Sequence, residues 1–157
     1  MIWLLILTGL FAQQEETFEV YLEDLRIEFD IEQIQADSAN LSTTVILDTR
    51  EKKEFKVSRL KNAIWIGYDD FDLSRVDSIK KDQEIIVYCS VGYRSSKIGE
   101  ELIDSGYKNV KNLYGGIFKW ANEKRPLYND STRTREVHAY NRKWGRYLTN
   151  PDLIKVY

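Results

Sequence analysis

Residues 84–104 read EIIVYCSVGYRSSKIGEELID, in which an apolar run up to Tyr88 is followed by Cys89, a short polar loop and an amphipathic segment. The unbroken β-branched and aromatic run predicts a strand that is buried on both faces of a parallel sheet. Ligands bind at the carboxyl edge of such sheets, where the following helix presents free N–H groups and the positive end of its dipole. We therefore predict that Cys89 works as a thiolate.

Size and composition limit the possible functions. The chain has 157 residues, enough for one domain with a hydrophobic core. Its formal net charge is −2, so the sequence lacks a basic footprint and we predict no nucleic-acid partner. Cys89 is the single cysteine, which excludes an intramolecular disulfide and a thiolate metal cluster built by this chain alone. The sequence predicts neither a metal nor a cofactor.

The N-terminal apolar run has two possible interpretations. Residues 2–12, IWLLILTGLFA, are about half of the roughly 20 apolar residues that a membrane-spanning helix needs. The run matches the core of a secretory signal peptide ending at Ala12, although no Lys or Arg precedes it and Leu10 is not a small residue. This interpretation predicts an exported protein, periplasmic or extracellular, with no stable membrane span in the mature chain. The alternative is a first buried element of a cytoplasmic protein.

Strand and helix patterns alternate along the rest of the chain. Strands are predicted at residues 43–47, 64–66, 85–88 and 110–113, and helices at 17–25, 51–55, 73–79, 95–104 and from residue 115 to before 126. A brief edge strand at 27–29 and a helix opened by Asp30 and Gln33 are also expected. The alternation predicts an α/β fold with a small parallel sheet and helices on both faces.

The sequence beyond Pro126 has a different character. Residues 129–135 form a polar stretch that predicts a linker, and aromatic and basic residues follow it. Helical spacing places five apolar residues on one face: Val137, Tyr140, Trp144, Tyr147 and Leu148. We predict a helical appendage that packs on the domain. His138 is expected to be a packing or surface residue rather than a general base.

The loop after Cys89 is suited to hold an anion. Gly92 can adopt a positive φ angle, which lets successive backbone N–H groups turn toward the sulfur of Cys89. These amides and the dipole of the next helix would stabilise a thiolate or an oxyanion substrate.

Several spaced motifs resemble those of single-domain rhodaneses, a family of sulfurtransferases. They are VILDTR at 45–50, residues 51–55 leading to KNA at 61–63, IVYC at 86–89 with Gly92, Arg94 and Ser95, GY at 106–107, and LYGG at 113–116 with Trp120. The resemblance covers residues 27–127 and implies a rhodanese-like fold there. It divides the chain into a signal peptide (1–12), an N-terminal packing segment (13–26), the rhodanese-like domain (27–127) and an aromatic and basic appendage (128–157). One departure is SRL at 58–60, where the family usually has Gly-His-Ile, and it affects loop packing more than activity.

The resemblance implies sulfur transfer by double displacement. Cys89 would take a sulfane sulfur from a small anionic donor such as thiosulfate and pass it, as a persulfide, to an external thiol or to cyanide. The implied substrate-binding residues are Ser90, Val91, Gly92, Tyr93, Arg94, Ser95 and, at the rim, Arg59. Asp48 and Arg50 are expected to give structural support. Since no second cysteine can release the persulfide as a disulfide, the sulfur has to leave to an external acceptor.

Two alternatives remain open. Four residues separate Cys89 from Arg94, which resembles the rhodanese loop, whereas related phosphatases and arsenate reductases have a loop one residue longer. Phosphatase or arsenate reductase activity is therefore disfavoured. The aromatic appendage favours a second alternative, a non-catalytic binding module or persulfide carrier.

Overall fold

Five parallel strands form the central sheet in a computed structural model that describes residues 16–157. The strands are β1 (Glu32–Ile34), β2 (Val45–Asp48), β3 (Ile64–Trp65), β4 (Glu84–Tyr88) and β5 (Asn109–Leu113). Their order is β1-β5-β4-β2-β3, and all four pairings are parallel. β4 therefore lies at the centre, where both faces of its apolar run are covered. The predicted signal peptide at 1–12 lies outside the described residues.

Helices cover both faces of the sheet, which confirms the predicted α/β architecture. They are α1 (Phe18–Glu28), α2 (Lys52–Val57), α3 (Tyr93–Asp104) and α4 (Gly116–Asn122), with 3-10 turns at Ala36–Ser38 and Leu73–Val76. Ile85 and Val87 of β4 pack in one core with Ile98 of α3. Ile86 and Tyr88 point to the other face, into a core that contains Phe118 of α4. Within residues 16–157, no helix combines the length and the apolar character needed to cross a membrane.

The region before β2 differs from the sequence prediction. The edge strand expected at 27–29 is wrong because α1 continues to Glu28, and the helix expected after Asp30 is wrong because Glu32–Ile34 form β1. β1 pairs with β5, placing Ile34 opposite Leu113. The backbone N–H and C=O groups along the edge of β5 need hydrogen-bond partners. Pairing with β1 provides them, and this outweighs the formation of a short local helix after Asp30.

The segment after α4 also differs from its prediction. The expected linker is an antiparallel hairpin of β6 (Leu127–Asn129) and β7 (Thr132–Thr134), and β8 (Glu136–His138) pairs with β9 (Ile154–Val156). The single long helical face is wrong, since α5 covers only Arg142–Gly145. Tyr140 has a φ of 64°, which interrupts any helix. Val137 and Tyr147 are nevertheless buried in the same core as α4.

Candidate active site

Cys89 occupies the carboxyl end of β4 directly before the loop that leads into α3. Its side chain is 1% exposed, and the backbone N–H of Gly92 donates to the Cys89 Sγ at 3.1 Å. Gly92 has a φ of 120° and is the residue before the first turn of α3. An amide and a helix N-terminus thus face the sulfur, an arrangement that stabilises negative charge on it.

The N-terminus of α4 holds the same loop from the other side. The amides of Ile117 and Phe118 donate to the carbonyl oxygens of Cys89 and Ser90 at 2.9 and 3.0 Å. Gly116 permits this close approach, because a Cβ atom there would lie 2.5 Å from the Cys89 oxygen. The sequence predicted a helix opened by Gly115 and Gly116, and the structure adds that these glycines support the Cys89 loop.

Asn112 of β5 anchors the loop from beneath. Its Nδ2 donates to the Gly92 carbonyl at 3.3 Å, to Ser96 Oγ at 3.1 Å and to Gln33 Oε1 at 2.9 Å. Ser95, predicted to bind substrate, is fully buried and its hydroxyl donates to the same Gly92 carbonyl at 3.1 Å. Asn112 was missed from the sequence, since nothing local marks a strand asparagine as a partner of a loop 20 residues away.

Glu54 is a second residue that the sequence did not single out. Its carboxylate is 0% exposed and accepts two hydrogen bonds from Arg94, at 2.7 and 2.9 Å, and one from Ser90 Oγ at 2.9 Å. Burial raises the pKa of Glu54, but the hydrogen bonds and charge of Arg94 outweigh burial and lower this pKa to about 2. The Glu51-x-x-Glu54 spacing, typical of a helix start, was the available signal. Arg94 is therefore held by a buried counter-ion, with its side chain 15% exposed.

Asp48 and Arg50 form a fully buried ion pair behind the loop. Arg50 Nη2 donates to Asp48 Oδ2 at 2.7 Å and to the Ser58 carbonyl at 2.6 Å. The Tyr88 hydroxyl donates to Asp48 and accepts from the Leu60 amide. Burial lowers the pKa of Arg50, but the negative charge of Asp48 outweighs it and raises this pKa above its ordinary value. The pair ties the segment after α2 to the end of β4.

Arg59 does not line the cavity above Cys89, contrary to the rim position expected for it. Its Nη2 pairs with Asp130 Oδ1 at 2.6 Å, its Nη1 donates to the Phe55 carbonyl, and its backbone bridges to Tyr128. These contacts direct the guanidinium toward the hairpin of β6 and β7. Arg59 is thus engaged in packing the hairpin.

A cavity of about 510 Å³ opens above Cys89. Ser90, Val91, Tyr93 and Arg94 from the predicted binding loop line it together with Cys89. Side chains from both terminal segments also line it: Tyr21 and Leu25 of α1, Tyr140, and Trp144 of α5. The other lining residues are Glu28, Glu51, Tyr68 and Asp69. The site is therefore a small anion-stabilising loop at the bottom of a larger aromatic cavity.

His138 lies beneath one wall of this cavity. It is buried, and its Nδ1 accepts a hydrogen bond from the Tyr140 amide at 3.0 Å. Burial lowers the pKa of His138 below its ordinary value. A neutral imidazole that accepts from the backbone fixes the turn at Tyr140 and has a packing role.

Comparison with known proteins identifies relatives of this site. The family model for the Rhodanese-like domain matches residues 31–123. A sulfurtransferase from Allochromatium vinosum is 29% identical over 100 residues, which cover 64% of this chain and 92% of that protein. A tRNA uridine(34) hydroxylase from Cytophaga hutchinsonii is 32% identical over 84 residues, covering 50% of this chain. The chain spans 27% of the length of this hydroxylase and 21% of a matching adenylyltransferase and sulfurtransferase from Candida albicans.

Solved structures show the same architecture. A rhodanese-related protein from Thermoplasma volcanium has a TM-score of 0.53 and 26% identity, covering 62% of this chain and 98% of its own. A thiosulfate sulfurtransferase from Pseudomonas aeruginosa has a TM-score of 0.61, covering 83% of this chain and 26% of its own. Its identity of 20% establishes a common fold only.

Proposed function

Because the chain belongs to the rhodanese-like domain family, we propose that it is a sulfurtransferase that carries a sulfane sulfur on Cys89. The sulfur comes from a donor such as thiosulfate and leaves to an external thiol or to cyanide. The observation that carries this proposal is the hydrogen bond of 3.1 Å from the Gly92 N–H to the Cys89 Sγ at the bottom of an open cavity. A hydrogen-bond donor at this position favours a nucleophilic thiolate at Cys89 and also a persulfide anion, whose outer sulfur extends one atom further into the cavity.

The reaction consists of two displacements at sulfur. The Cys89 thiolate attacks the outer sulfur of thiosulfate, the S–S bond breaks, and sulfite leaves with the bonding electron pair. A nucleophile such as cyanide then attacks the outer sulfur of the Cys89 persulfide, forming thiocyanate and regenerating the thiolate. Arg94 and Ser90, both bound by Glu54, hold the loop in place during these steps.

Mass spectrometry of the intact protein tests the proposal. After incubation with excess thiosulfate, and separately with an organic persulfide, the protein should gain the mass of one sulfur atom, and cyanide should remove it as thiocyanate. Cys89→Ser should gain nothing with either donor. If wild-type protein gains no sulfur from either donor, the proposed activity is wrong. If sulfur is gained but neither cyanide nor a thiol removes it, the proposed transfer to an external acceptor is wrong.

We also propose that residues 1–12 are removed on export, which would place the protein in the periplasm or outside the cell. The apolar run at 2–12 followed by a polar segment supports this proposal. The N-terminal sequence of the protein isolated from its native host should begin at Gln13. A mature protein that begins at Met1 or Ile2 would contradict it.

A further inference from the structure

The cavity above Cys89 carries more negative than positive charge. Three of the described lining residues are carboxylates, Glu28, Glu51 and Asp69, whereas Arg94 is the cation among them. Both oxygens of Glu54 already bind the Arg94 guanidinium, so the positive charge of Arg94 is neutralised by a carboxylate of the protein itself. A dianion such as thiosulfate therefore passes more carboxylates than cations on the cavity walls before it reaches the loop at Cys89.

Aromatic and aliphatic side chains form the walls of the same cavity. Tyr21 and Trp144 meet edge to face with ring centroids 5.2 Å apart, and Leu25, Tyr68 and Val91 continue the apolar surface. A volume of about 510 Å³ is within the range of pockets for small organic ligands, about 300–1,000 Å³. Thiosulfate is far smaller and presents no apolar surface, so it would leave these walls uncovered.

Two of these walls come from outside the residues that match the family domain. Tyr21 and Leu25 belong to α1, before the matched residues 31–123, and Trp144 belongs to α5, after them. The walls therefore add a recognition surface to a reaction centre that the domain already contains.

We propose that the sulfur donor of this protein is an organic persulfide, R–S–SH, whose R group is apolar or aromatic and carries no negative charge. The inference rests on the proposed sulfurtransferase function and names its substrate class. The R group lies against the surface that Tyr21 and Trp144 form together, and the outer sulfur points to Cys89. The Cys89 thiolate attacks that outer sulfur, the S–S bond breaks, and R–S⁻ leaves with the electron pair. The sulfane sulfur remains on Cys89 as Cys89–S–SH, so atoms and charge balance without an external oxidant or reductant.

The test compares three donors on the same protein. Benzyl persulfide carries an aromatic R group, glutathione persulfide carries the same reactive group on an acidic body, and thiosulfate has no organic body. The second-order rate constant for sulfur gain on Cys89 is measured by rapid quenching and intact mass, and the constants for the two persulfides are each divided by that for free cysteine. We expect the normalised rate with benzyl persulfide to exceed that with glutathione persulfide at least about tenfold.

Variants of the walls show whether the cavity causes this preference. Trp144→Ala should lower the benzyl persulfide rate about tenfold and change the thiosulfate rate less than about twofold, whereas Trp144→Phe should keep most of the preference. Ile27→Ala, at an exposed residue of α1 outside the cavity, is the matched control. Asp69→Asn should raise the thiosulfate rate up to about fourfold at low ionic strength, the unscreened effect of one charge on a dianion at a separation of about 10 Å in water. Asp77→Asn, also exposed but away from the cavity, should leave it unchanged.

The outcomes separate this inference from the proposed function. Equal normalised rates for the two persulfides, or a Trp144→Ala variant that slows all three donors equally, would overturn the organic persulfide assignment and leave the sulfurtransferase function intact. Absence of sulfur on Cys89 with every donor would overturn the proposed function itself. A preference that disappears only in Trp144→Ala supports the inference.

Discussion

Replacing Glu54 by glutamine removes a buried carboxylate while keeping the shape of the side chain. In the wild type this carboxylate accepts hydrogen bonds from Arg94, from Ser90 Oγ and from the Glu51 amide. Glutamine keeps one acceptor oxygen but brings an amide NH₂ toward Arg94. The variant therefore leaves the largely buried guanidinium without its counter-ion.

The expected loss of stability can be worked out in two ways. Burial alone would raise the pKa of Glu54, but Arg94 lowers it from the ordinary 4.5 to about 2, which corresponds to about 3 kcal/mol in favour of the ionised form. Removal of one partner from a buried ion pair costs about 3–5 kcal/mol, and the 15% exposure of Arg94 places this pair at the lower end. We expect Glu54→Gln to lower the free energy of unfolding by about 3 kcal/mol at pH 7.

The pH dependence gives a second, independent readout. A carboxyl group with a lowered pKa in the folded state stabilises the fold above its unfolded pKa, here about 4.5, and this contribution is lost as the pH falls toward 2. The free energy of unfolding of the wild type should therefore decrease between pH 4.5 and 2, and Glu54→Gln should lack that part of the decrease.

Urea unfolding across this pH range measures both effects. Asp130→Asn is the matched control, because it removes a carboxylate that is 90% exposed from the ion pair with Arg59 and should cost less than about 1 kcal/mol. Equal losses of stability in Glu54→Gln and Asp130→Asn at pH 7 would show that Glu54 does not hold the loop as described. The same conclusion follows if the free energy of unfolding of Glu54→Gln decreases at acidic pH as much as that of the wild type.

Three further substitutions test other supports of the site by urea unfolding. Gly116→Ala should lower the free energy of unfolding by more than about 2 kcal/mol and slow sulfur loading, because its Cβ would meet the carbonyls of the Cys89 loop. Gly106→Ala, with free space around it, is the control and should cost about 1 kcal/mol. Equal losses of stability in the two variants would refute the contact at Gly116. Asp48→Asn should cost about 3–5 kcal/mol because the buried Arg50 loses its partner, and a loss below about 1 kcal/mol would contradict this. Thr17→Ala removes the side-chain cap of α1 and should cost about 1 kcal/mol; no loss would show that this helix end frays.

The sequence predicted those parts of the fold whose signal lies within one continuous stretch. The apolar run of β4, the loop after Cys89 and the helical period of α3 are adjacent in the chain, so their pattern alone indicates a strand, an anion-holding loop and a helix. β1 has only three residues, and its conformation is decided by pairing with β5. The same reason explains the tail, where pairing of β8 with β9 overrides helical spacing.

Residues that support the site were harder to find because their partners are distant in the sequence. Glu54 and Arg94 are 40 residues apart, and Asn112 bonds to Gly92 across 20. Each is a common polar residue in its own segment and becomes distinctive only when the sheet brings the segments together. Arg59 was predicted at the rim of the site but does not line the cavity. Its ion pair with Asp130 directs the guanidinium toward the hairpin of β6 and β7 instead.

The aromatic side chains proposed to bind the donor come from other segments of the chain than the contacts that fix the Cys89 loop. The contacts that fix the Cys89 loop come from α2, β5 and α4, all within residues 31–123. The aromatic walls contact each other, since Phe18 of α1 stacks on Tyr147 with centroids 4.8 Å apart and Tyr21 meets Trp144. They also contact the domain, because Tyr147 is buried in the core that contains Phe118. Because the two terminal segments pack as one unit beside the loop, substitutions in that unit can change which donor binds while the geometry around the Cys89 sulfur is retained.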